Sequence, residues 1–157
     1  MATVHLAFSP DPAYVRTVRL VAAAVARRAG VAADLLDEVR LAIGEACSRA
    51  IALHHRHGLR DLIEVRMTDG EHFTIQVTDH SPTGLTTPAG PDGPDGPDQA
   101  TGSAGALVGV EATEDSEITF DMAVTLLTGL VSDLKVTNSP NGVGSEVEMA
   151  WPLGQRL

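Results

Sequence analysis

Residues 34–54, which read DLLDEVRLAIGEACSRAIALH, decide the fold of this chain. One row of apolar side chains recurs at helical spacing and predicts a face that packs into a core. That row consists of Leu36, Val39, Ile43, Ala46, Cys47 and Ala50. A second row, on another flank, consists of Glu38, Leu41, Glu45 and Arg49. The stretch therefore predicts an amphipathic helix, with Glu45 beside any site that its other flank carries.

The chain before this helix predicts a strand and a first helix. Residues 3–8 alternate polar and apolar side chains, which is typical of a half-buried strand. Residues 13–28 keep a helical period, with Asp11 as a candidate N-cap residue and Gly30 as a candidate stop. Asp34 is the candidate N-cap residue of the helix that follows.

The chain after the central helix predicts a hairpin and then a long loop. Strand patterns at 62–68 and 72–79 flank Asp69 and Gly70, and Asp-Gly between two such patterns is a strong hairpin signal. Residues 80–117 are rich in Gly, Pro, Thr and Asp and repeat Gly-Pro-Asp three times. We therefore expect a flexible loop there.

The C-terminal part returns to regular patterns. Residues 118–132 predict an amphipathic helix, and residues 134–138 and 146–151 predict two strands around an Asn-Gly turn. Hairpins and helices clustered in this order favour an α+β fold. We expect a two-layer sandwich, with a mixed or antiparallel sheet covered by three helices, as a single domain over residues 1–157.

Composition excludes several classes of function. The 157 residues, 43% of them hydrophobic, suffice for one core. A net charge of −10, from 11 basic and 21 acidic side chains, opposes contact with nucleic acid or with an anionic membrane. The chain shows neither a secretory leader pattern nor an apolar run long enough to span a bilayer. We therefore expect a cytoplasmic protein whose lone cysteine, Cys47, is a buried thiol.

Three short motifs resemble those of one family. They are Glu-Ala-Cys-Ser-Arg-Ala-Ile at 45–51, Val-Thr-Asp at 77–79 before the long loop, and Gly-Ser at 144–145 before the last strand. Together with the element order, these motifs resemble the bacterial anti-sigma-factor serine-kinase family, whose domain has the Bergerat, or histidine-kinase-like ATPase, fold. The resemblance extends over nearly the whole chain and implies a pocket for ATP and Mg²⁺.

On the second helix, the resemblance implies Glu-x-x-x-Asn, in which Glu is the general base and Asn binds Mg²⁺. Glu45 takes the first position, and Arg49 replaces the magnesium-binding Asn. Magnesium requires oxygen ligands and Arg offers only positively charged donors, so we expect no metal at this place. Two partners remain for Arg49. One is a phosphate group, and the other is Glu45, since Glu and Arg at i and i+4 favour a helical ion pair.

At the end of the second strand of the first hairpin, the resemblance implies Asp-x-Gly-x-Gly, in which Asp binds adenine. Asp79 is present, although a polar strand end would also explain it. Ser81 and Thr83 replace both glycines, and Pro82 stiffens the bend. These changes oppose a close approach of the backbone to a nucleotide.

The phosphate-binding elements are altered as well. Where the resemblance implies a glycine-rich helix entry, residues 114–121 carry four carboxylates, which would repel a triphosphate. Gly102 and Gly105 are candidates for a displaced remnant of that segment. Gly144 and Ser145 keep the glycine and the hydroxyl that suit phosphate contact, and they equally suit a turn.

Histidines offer a third, unrelated site. Neutral imidazoles at short spacing are good transition-metal ligands, but histidine at a helix C-terminus is also favourable with the dipole alone. The spacing here matches no closed zinc pattern. The candidates are His54, His55 and His57 with His72 or His80.

We therefore predict an anti-sigma-factor-like regulatory protein. It controls transcription by binding a sigma factor, an anti-sigma-factor antagonist or both, without competent ATP or Mg²⁺ binding, and it is compatible with a homodimer. No direct contact with nucleic acid or membrane is expected. The alternative is an active serine/threonine protein kinase that phosphorylates the antagonist, with Glu45 as base, Asp79 on adenine, and Gly144 and Ser145 on phosphates. A metal-responsive sensor built on the histidines is the third hypothesis.

Overall fold

A computed structural model describes residues 1–82, 127–129, 131, 133–138 and 143–154. Its helices and strands form one α+β arrangement. They are, in chain order, β1 (Ala2–Phe8), α1 (Val15–Ala29), α2 (Leu36–Arg56), β2 (Ile63–Asp69), β3 (His72–Asp79), β4 (Asp133–Asn138) and β5 (Ser145–Pro152). Short 3₁₀ helices, Pro12–Tyr14 and Ala33–Leu35, lead into α1 and α2.

The five strands form one sheet in the order β1-β2-β3-β5-β4, and each neighbouring pair runs antiparallel. The sequence allowed a mixed or an antiparallel sheet, and the structure has the antiparallel one. β2 and β3 form the predicted hairpin. β3 is the central strand, and its register with β5 sets Asp79 opposite Ser145. The helices cover one face, which confirms the predicted two-layer sandwich.

Capping chemistry explains the bounds of α1. The Asp11 carboxylate accepts a hydrogen bond of 2.9 Å from the Ala13 amide, in the 3₁₀ turn that opens the helix. Gly30 ends the helix with a φ of 102°, a left-handed conformation that glycine adopts without strain. Both residues act as the sequence predicted.

The start of α2 differs from the prediction. Asp34, the expected N-cap residue, lies inside the 3₁₀ helix Ala33–Leu35, and α2 begins at Leu36. Leu35 precedes the helix without a capping hydrogen bond from its side chain. The expectation fails because the chain begins to turn before Asp34: the Leu35 amide donates to the Ala32 carbonyl at 3.0 Å, so Asp34 lies inside the 3₁₀ turn and not ahead of it.

One hydrophobic core lies between the helices and the facing side of the sheet. α2 buries the whole apolar row that the sequence predicted, and α1 packs against it mainly through alanines. The sheet contributes every second residue of its central strands. These are Ile63, Val65, Met67, Phe73, Ile75, Val77, Val147, Met149 and Trp151. The Trp151 indole also donates a hydrogen bond of 2.9 Å to the Glu38 carboxylate, which joins β5 to α2.

Two predicted elements fall mainly outside the described residues. The predicted loop at 80–117 is described only at 80–82. Of the predicted third helix at 118–132, residues 127–129 are helical, and Leu127 and Val131 are buried in the core. Among the helices that the structure describes, none has the length and apolar character needed to cross a membrane.

Candidate functional site

A buried carboxylate ends the central strand. Phe73, Ile75 and Val77 alternate inward along β3, and Asp79 takes the next inward position. The Asp79 side chain is 1% exposed. An ionised carboxylate at this depth requires hydrogen-bond donors or a cation around it.

Two serines donate to this carboxylate. Oδ1 of Asp79 accepts a hydrogen bond of 2.9 Å from the Ser81 amide and another from the Ser81 hydroxyl. Oδ2 accepts one from the hydroxyl of Ser145, its partner across the β3–β5 register. Ser81 stands where the family resemblance implies a glycine. The backbone amide would be present with glycine too, so the serine adds one further donor, its hydroxyl, to Asp79.

The cation beside Asp79 is Arg49, which reaches it from the flank of α2. Nη1 of Arg49 lies 3.6 Å from Oδ2 of Asp79, and Nη2 donates a hydrogen bond of 3.3 Å to the Ser145 hydroxyl. Burial lowers the pKa of the Arg49 guanidinium, and the Asp79 carboxylate acts in the opposite direction. Arg stays protonated in proteins, so this is a buried ion pair. We call Arg49, Asp79, Ser81 and Ser145 the Arg49–Asp79 network.

The prediction that Arg49 forms an ion pair with Glu45 is wrong. Among the described residues, the carboxylate paired with Arg49 is that of Asp79. Glu45 is partly exposed, whereas the Arg49 side chain is 4% exposed. A guanidinium at that depth requires a carboxylate equally withdrawn from water, and the inward end of β3 provides one.

A glycine allows the start of β5 to approach the end of β3 closely. Gly144 precedes β5 with a φ of +91°, and its amide donates a hydrogen bond of 2.7 Å to the Ser81 carbonyl. A Cβ atom at position 144 would lie 2.2 Å from the Asp79 carbonyl oxygen. The predicted site residues Asp79, Gly144 and Ser145 are therefore in direct contact, and only glycine fits between them.

A buried histidine holds the bend after Asp79. Nε2 of His54 accepts a hydrogen bond of 2.9 Å from the His80 amide, so Nδ1 carries the proton and donates to the Asp61 carbonyl at 3.1 Å. Desolvation lowers the pKa of His54, with the charges and hydrogen bonds around it as smaller influences. His54 is thus a neutral side chain whose hydrogen bond links the end of α2 to the residues that follow β3.

The histidines do not converge on a metal site in the part of the chain that the structure describes. No group of three or more metal-ligating side chains occurs there. Both ring nitrogens of His54 are engaged by the backbone, and Nε2 of His55 lies 2.6 Å from the Pro10 carbonyl oxygen. The histidine cluster seen in the sequence is consequently structural at His54 and His55.

The structure brings Arg49, Asp79 and Ser145 together and leaves Glu45 one helical turn away on the same flank. The predicted phosphate segment at 114–121, with Gly102 and Gly105, lies outside the described residues. Sequence reasoning missed two relationships, the pairing of Arg49 with Asp79 and the role of His54. The alternation of 73, 75 and 77 places position 79 inward, and that signal predicts a carboxylate in need of a buried cation.

The chain belongs to the histidine kinase-like ATPase domain family, because the model of that family matches residues 8–151. The match runs from the end of β1 to β5, so it includes α2 and every residue of the Arg49–Asp79 network. This confirms the Bergerat-type fold that the sequence motifs predicted. No curated protein matches the chain.

Proposed function

We propose that this chain is a regulatory binding protein of the anti-sigma type. It acts in the cytoplasm and controls transcription by holding a sigma factor, an anti-sigma-factor antagonist or both, without competent binding of ATP and Mg²⁺. The observation that carries this proposal is the buried ion pair between Arg49 and Asp79. Two positions that a nucleotide pocket of this family would use are engaged with each other.

Adenine recognition is opposed by the hydrogen bonds of Asp79. The family resemblance implies that this carboxylate accepts a hydrogen bond from the adenine amino group. Here Oδ1 takes two donors from Ser81, and Oδ2 takes the Ser145 hydroxyl and faces Arg49. A nucleotide would have to displace at least one of these buried partners, and an uncompensated buried charge is strongly destabilising.

Magnesium binding is opposed by the donor set. Mg²⁺ binds oxygen ligands in an octahedron, and the residue at the implied ligand position is a guanidinium with five N–H donors and no acceptor. Arg49 is fixed there by Asp79 and Ser145. The residues present therefore do not fit the metal that phosphoryl transfer in this family requires.

The surface supports binding to another protein. The net charge of −10 favours a partner with a basic contact surface. On the helical face, Leu20 of α1 is 62% exposed and Leu41 of α2 is 44% exposed. Neither leucine belongs to the Arg49–Asp79 network, so a partner that contacts them needs no occupied pocket.

Calorimetric titration of the purified chain with ATP and Mg²⁺ tests the nucleotide half of the proposal. We expect no binding at millimolar nucleotide. Arg49→Asn is the matched variant, because it restores the amide that the family resemblance implies at that position. Micromolar binding by the unaltered chain, abolished by Asp79→Ala, would overturn the proposal.

Capture of partners tests the other half. The tagged chain is used to recover proteins from bacterial extract, and recovered sigma factors or antagonists are purified and titrated. We expect a complex with one of them whose dissociation constant is unchanged by ATP and Mg²⁺. Recovery of neither class of protein would contradict the anti-sigma assignment, and an affinity that requires ATP would contradict the nucleotide-independent mechanism.

An active serine/threonine protein kinase is the second candidate, and one observation favours it. The Glu45 carboxylate is not paired with Arg49, so the general base that the resemblance implies is not neutralised by that neighbour. Transfer of labelled phosphate from ATP to a purified antagonist, lost in Glu45→Gln, would establish this candidate. Absence of transfer at saturating ATP excludes it.

A further inference from the structure

The segment that follows β3 is held by hydrogen bonds to α2, to β3 and to the start of β5. The His80 amide donates to Nε2 of His54 at 2.9 Å. The Ser81 amide donates to the Asp79 carboxylate at 2.9 Å, and the Ser81 carbonyl accepts from the Gly144 amide at 2.7 Å. We call His80 and Ser81 the β3 exit. Of these contacts, the one at His54 depends on a side chain whose ordinary pKa, 6.5, lies close to neutral pH.

His54 fits its partners in the neutral form. Its side chain is 0% exposed, and Nδ1 donates to the Asp61 carbonyl at 3.1 Å, which leaves Nε2 as the acceptor for the His80 amide. A proton on Nε2 turns this acceptor into a donor that faces the N–H group of His80. Two donors at this separation repel each other, and a buried donor without an acceptor is costly. Protonation therefore requires the β3 exit to move away from His54.

We propose that a proton on His54 opens the β3 exit while the rest of the fold stays intact. The His80 amide leaves Nε2, and the neighbouring Ser81 takes its amide and hydroxyl away from Oδ1 of Asp79. Oδ2 of Asp79 keeps Arg49 and the Ser145 hydroxyl. Mild acid thus uncovers one oxygen of the buried carboxylate, and neutral pH covers it again.

The opening extends to the start of β5. Movement of Ser81 also removes the acceptor of the Gly144 amide, and these two residues lie near the two ends of the chain between β3 and β5. One proton on α2 therefore loosens both ends of that interval. The β3–β5 ladder is kept, because its last register pair is Asp79 and Ser145.

The surroundings of His54 determine the pH at which the exit opens. Desolvation lowers the pKa of the closed form, Asp79 and Asp61 act in the opposite direction, and the His80 ring, 6.2 Å away, also lowers it. These are the charged groups that act on His54 in the described part of the chain. In the open form the ring meets water and its pKa returns toward 6.5. The opening constant therefore rises as the pH falls below about 6.5, by at most about tenfold per pH unit, because one proton is bound.

Amide hydrogen exchange of the full chain at pH 7.5 and pH 5.5 tests the proposal. Protection factors, which correct for the intrinsic effect of pH on exchange, are compared for His80, Ser81 and Gly144. Ile75 of the central strand is the reference for global unfolding. We expect protection at the first three to fall severalfold at pH 5.5. Urea below the unfolding transition should leave their protection nearly unchanged while it lowers that of Ile75, because a local opening exposes little surface.

NMR of the histidine ring nitrogens identifies the proton responsible. We expect His54 to carry its proton on Nδ1 at pH 7.5, and to titrate with the same midpoint as the amide signals of His80 and Ser81. His80→Gln removes a neighbouring positive charge and should raise that midpoint. Asp61→Asn removes a negative charge and should lower it.

His54→Gln separates the effect of the proton from that of the side chain. The glutamine carbonyl oxygen can accept the His80 amide but binds no proton in this pH range, so protection of the β3 exit should no longer depend on pH. His57→Gln is the matched control, because His57 is exposed and its replacement should keep the full dependence. The titration of the unaltered chain supplies a test that does not depend on how well either variant folds.

Two kinds of result would overturn the proposal. One is protection at His80 and Ser81 that is the same at both pH values, or that changes only together with Ile75 and with the same urea dependence. The other is a His54 ring protonated on Nε2 at pH 7.5, or a pH dependence that persists in His54→Gln. These measurements use neither a nucleotide nor a partner protein, so their outcome is independent of the proposed function.

Discussion

The guanidinium of Arg49 lies 3.6 Å from the carboxylate of Asp79, and the two side chains are 4% and 1% exposed. One belongs to α2 and the other to the end of β3, so the pair joins the helical layer to the sheet. Ser145 contacts both partners and adds β5 to the same network. The network thus joins α2, β3 and β5 through buried polar contacts.

Replacing Arg49 should destabilise the fold. Arg49→Ala leaves the Asp79 carboxylate buried without its cation, and breaking such a pair costs roughly 3 kcal/mol. Urea denaturation at neutral pH measures the change in the free energy of unfolding. The control is Arg40→Ala, which removes an exposed pair with Asp37 and should change the free energy of unfolding by less than about 1 kcal/mol.

A double variant shows whether that loss comes from the uncompensated charge. Asp79→Asn in the Arg49→Ala background removes the buried charge as well, so it should recover part of the lost stability. Equal losses in Arg49→Ala and Arg40→Ala would show that the buried pair does not stabilise the fold.

Gly144→Ala should be more destabilising than Gly30→Ala. Both glycines have positive φ, at 91° and 102°, so each substitution carries a backbone penalty of about 1 kcal/mol. Only at 144 would the new Cβ meet the Asp79 carbonyl oxygen, at 2.2 Å, whereas nothing lies within 4 Å at position 30. Thermal or urea unfolding should show an extra loss of about 1–3 kcal/mol for Gly144→Ala. Similar losses for the two variants would contradict the close approach.

The stability of the fold should decrease in mild acid because of His54. Desolvation holds the pKa of His54 below its ordinary value of 6.5, against the smaller opposing influence of Asp79 and Asp61, and His80 also acts to lower it. The unfolded chain therefore binds the proton first as the pH falls. Neutral His54 makes its full contribution to the free energy of unfolding above about pH 6.5. That contribution is lost progressively as the pH falls from there through the lower pKa of the folded state.

Urea denaturation at pH 7.5 and pH 5.5 measures this effect. Protonation would place an N–H of His54 against the donor N–H of His80, so the hydrogen bond that holds the bend is lost. His54→Gln should lower stability at pH 7.5 and show less change between the two pH values than the unaltered chain. His57→Gln, an exposed change, should keep the full pH dependence. If the free energy of unfolding changed equally between the two pH values in His54→Gln and in the unaltered chain, His54 would not be the cause of the pH dependence.

Cys47 should be inert in the folded protein. It is fully buried on the apolar row of α2, and desolvation raises its pKa to about 12, with Arg19 acting in the opposite direction. The thiolate is the reactive form, so a chromogenic disulfide reagent at pH 8 should label the native chain far more slowly than the chain in urea. The chain has one cysteine, so the signal reports this site alone. Rapid labelling without denaturant would show that the core beneath α2 opens readily.

The regular elements could be predicted because their signals are local. The Asp11 cap, the Gly30 stop and the Asp-Gly hairpin all depend on residues within one turn of each other. The apolar row of α2 predicts burial directly, and all of its members are buried. Alternation in β3 likewise predicts which side chains face the core.

The candidate site required information that is not local. Glu45 lies one turn from Arg49, so the helical spacing rule favoured an ion pair between them. Arg49 pairs with Asp79 instead, because both of these side chains are buried. His54 looked like a member of a histidine cluster because its neighbours in sequence are histidines. Its actual partners are backbone groups of Asp61 and His80, which only the folded chain brings to it. Only knowledge of which strand lies beneath α2 would have revealed these contacts.

The hydrogen bond between Gly144 and Ser81 has a consequence for how sequences of this kind can vary. The chain leaves β3 after Asp79 and enters β5 at Ser145, and these two residues are register partners. The distance between exit and entry is therefore fixed by the β3–β5 ladder, whatever the length of the chain between them. Because loop closure entropy rises only slowly with length, insertions such as the Gly-Pro-Asp repeats add little penalty to the sheet. Length variation should accumulate in the part of this interval that precedes β4, while the ends of the interval stay constrained by the contact between Gly144 and Asp79.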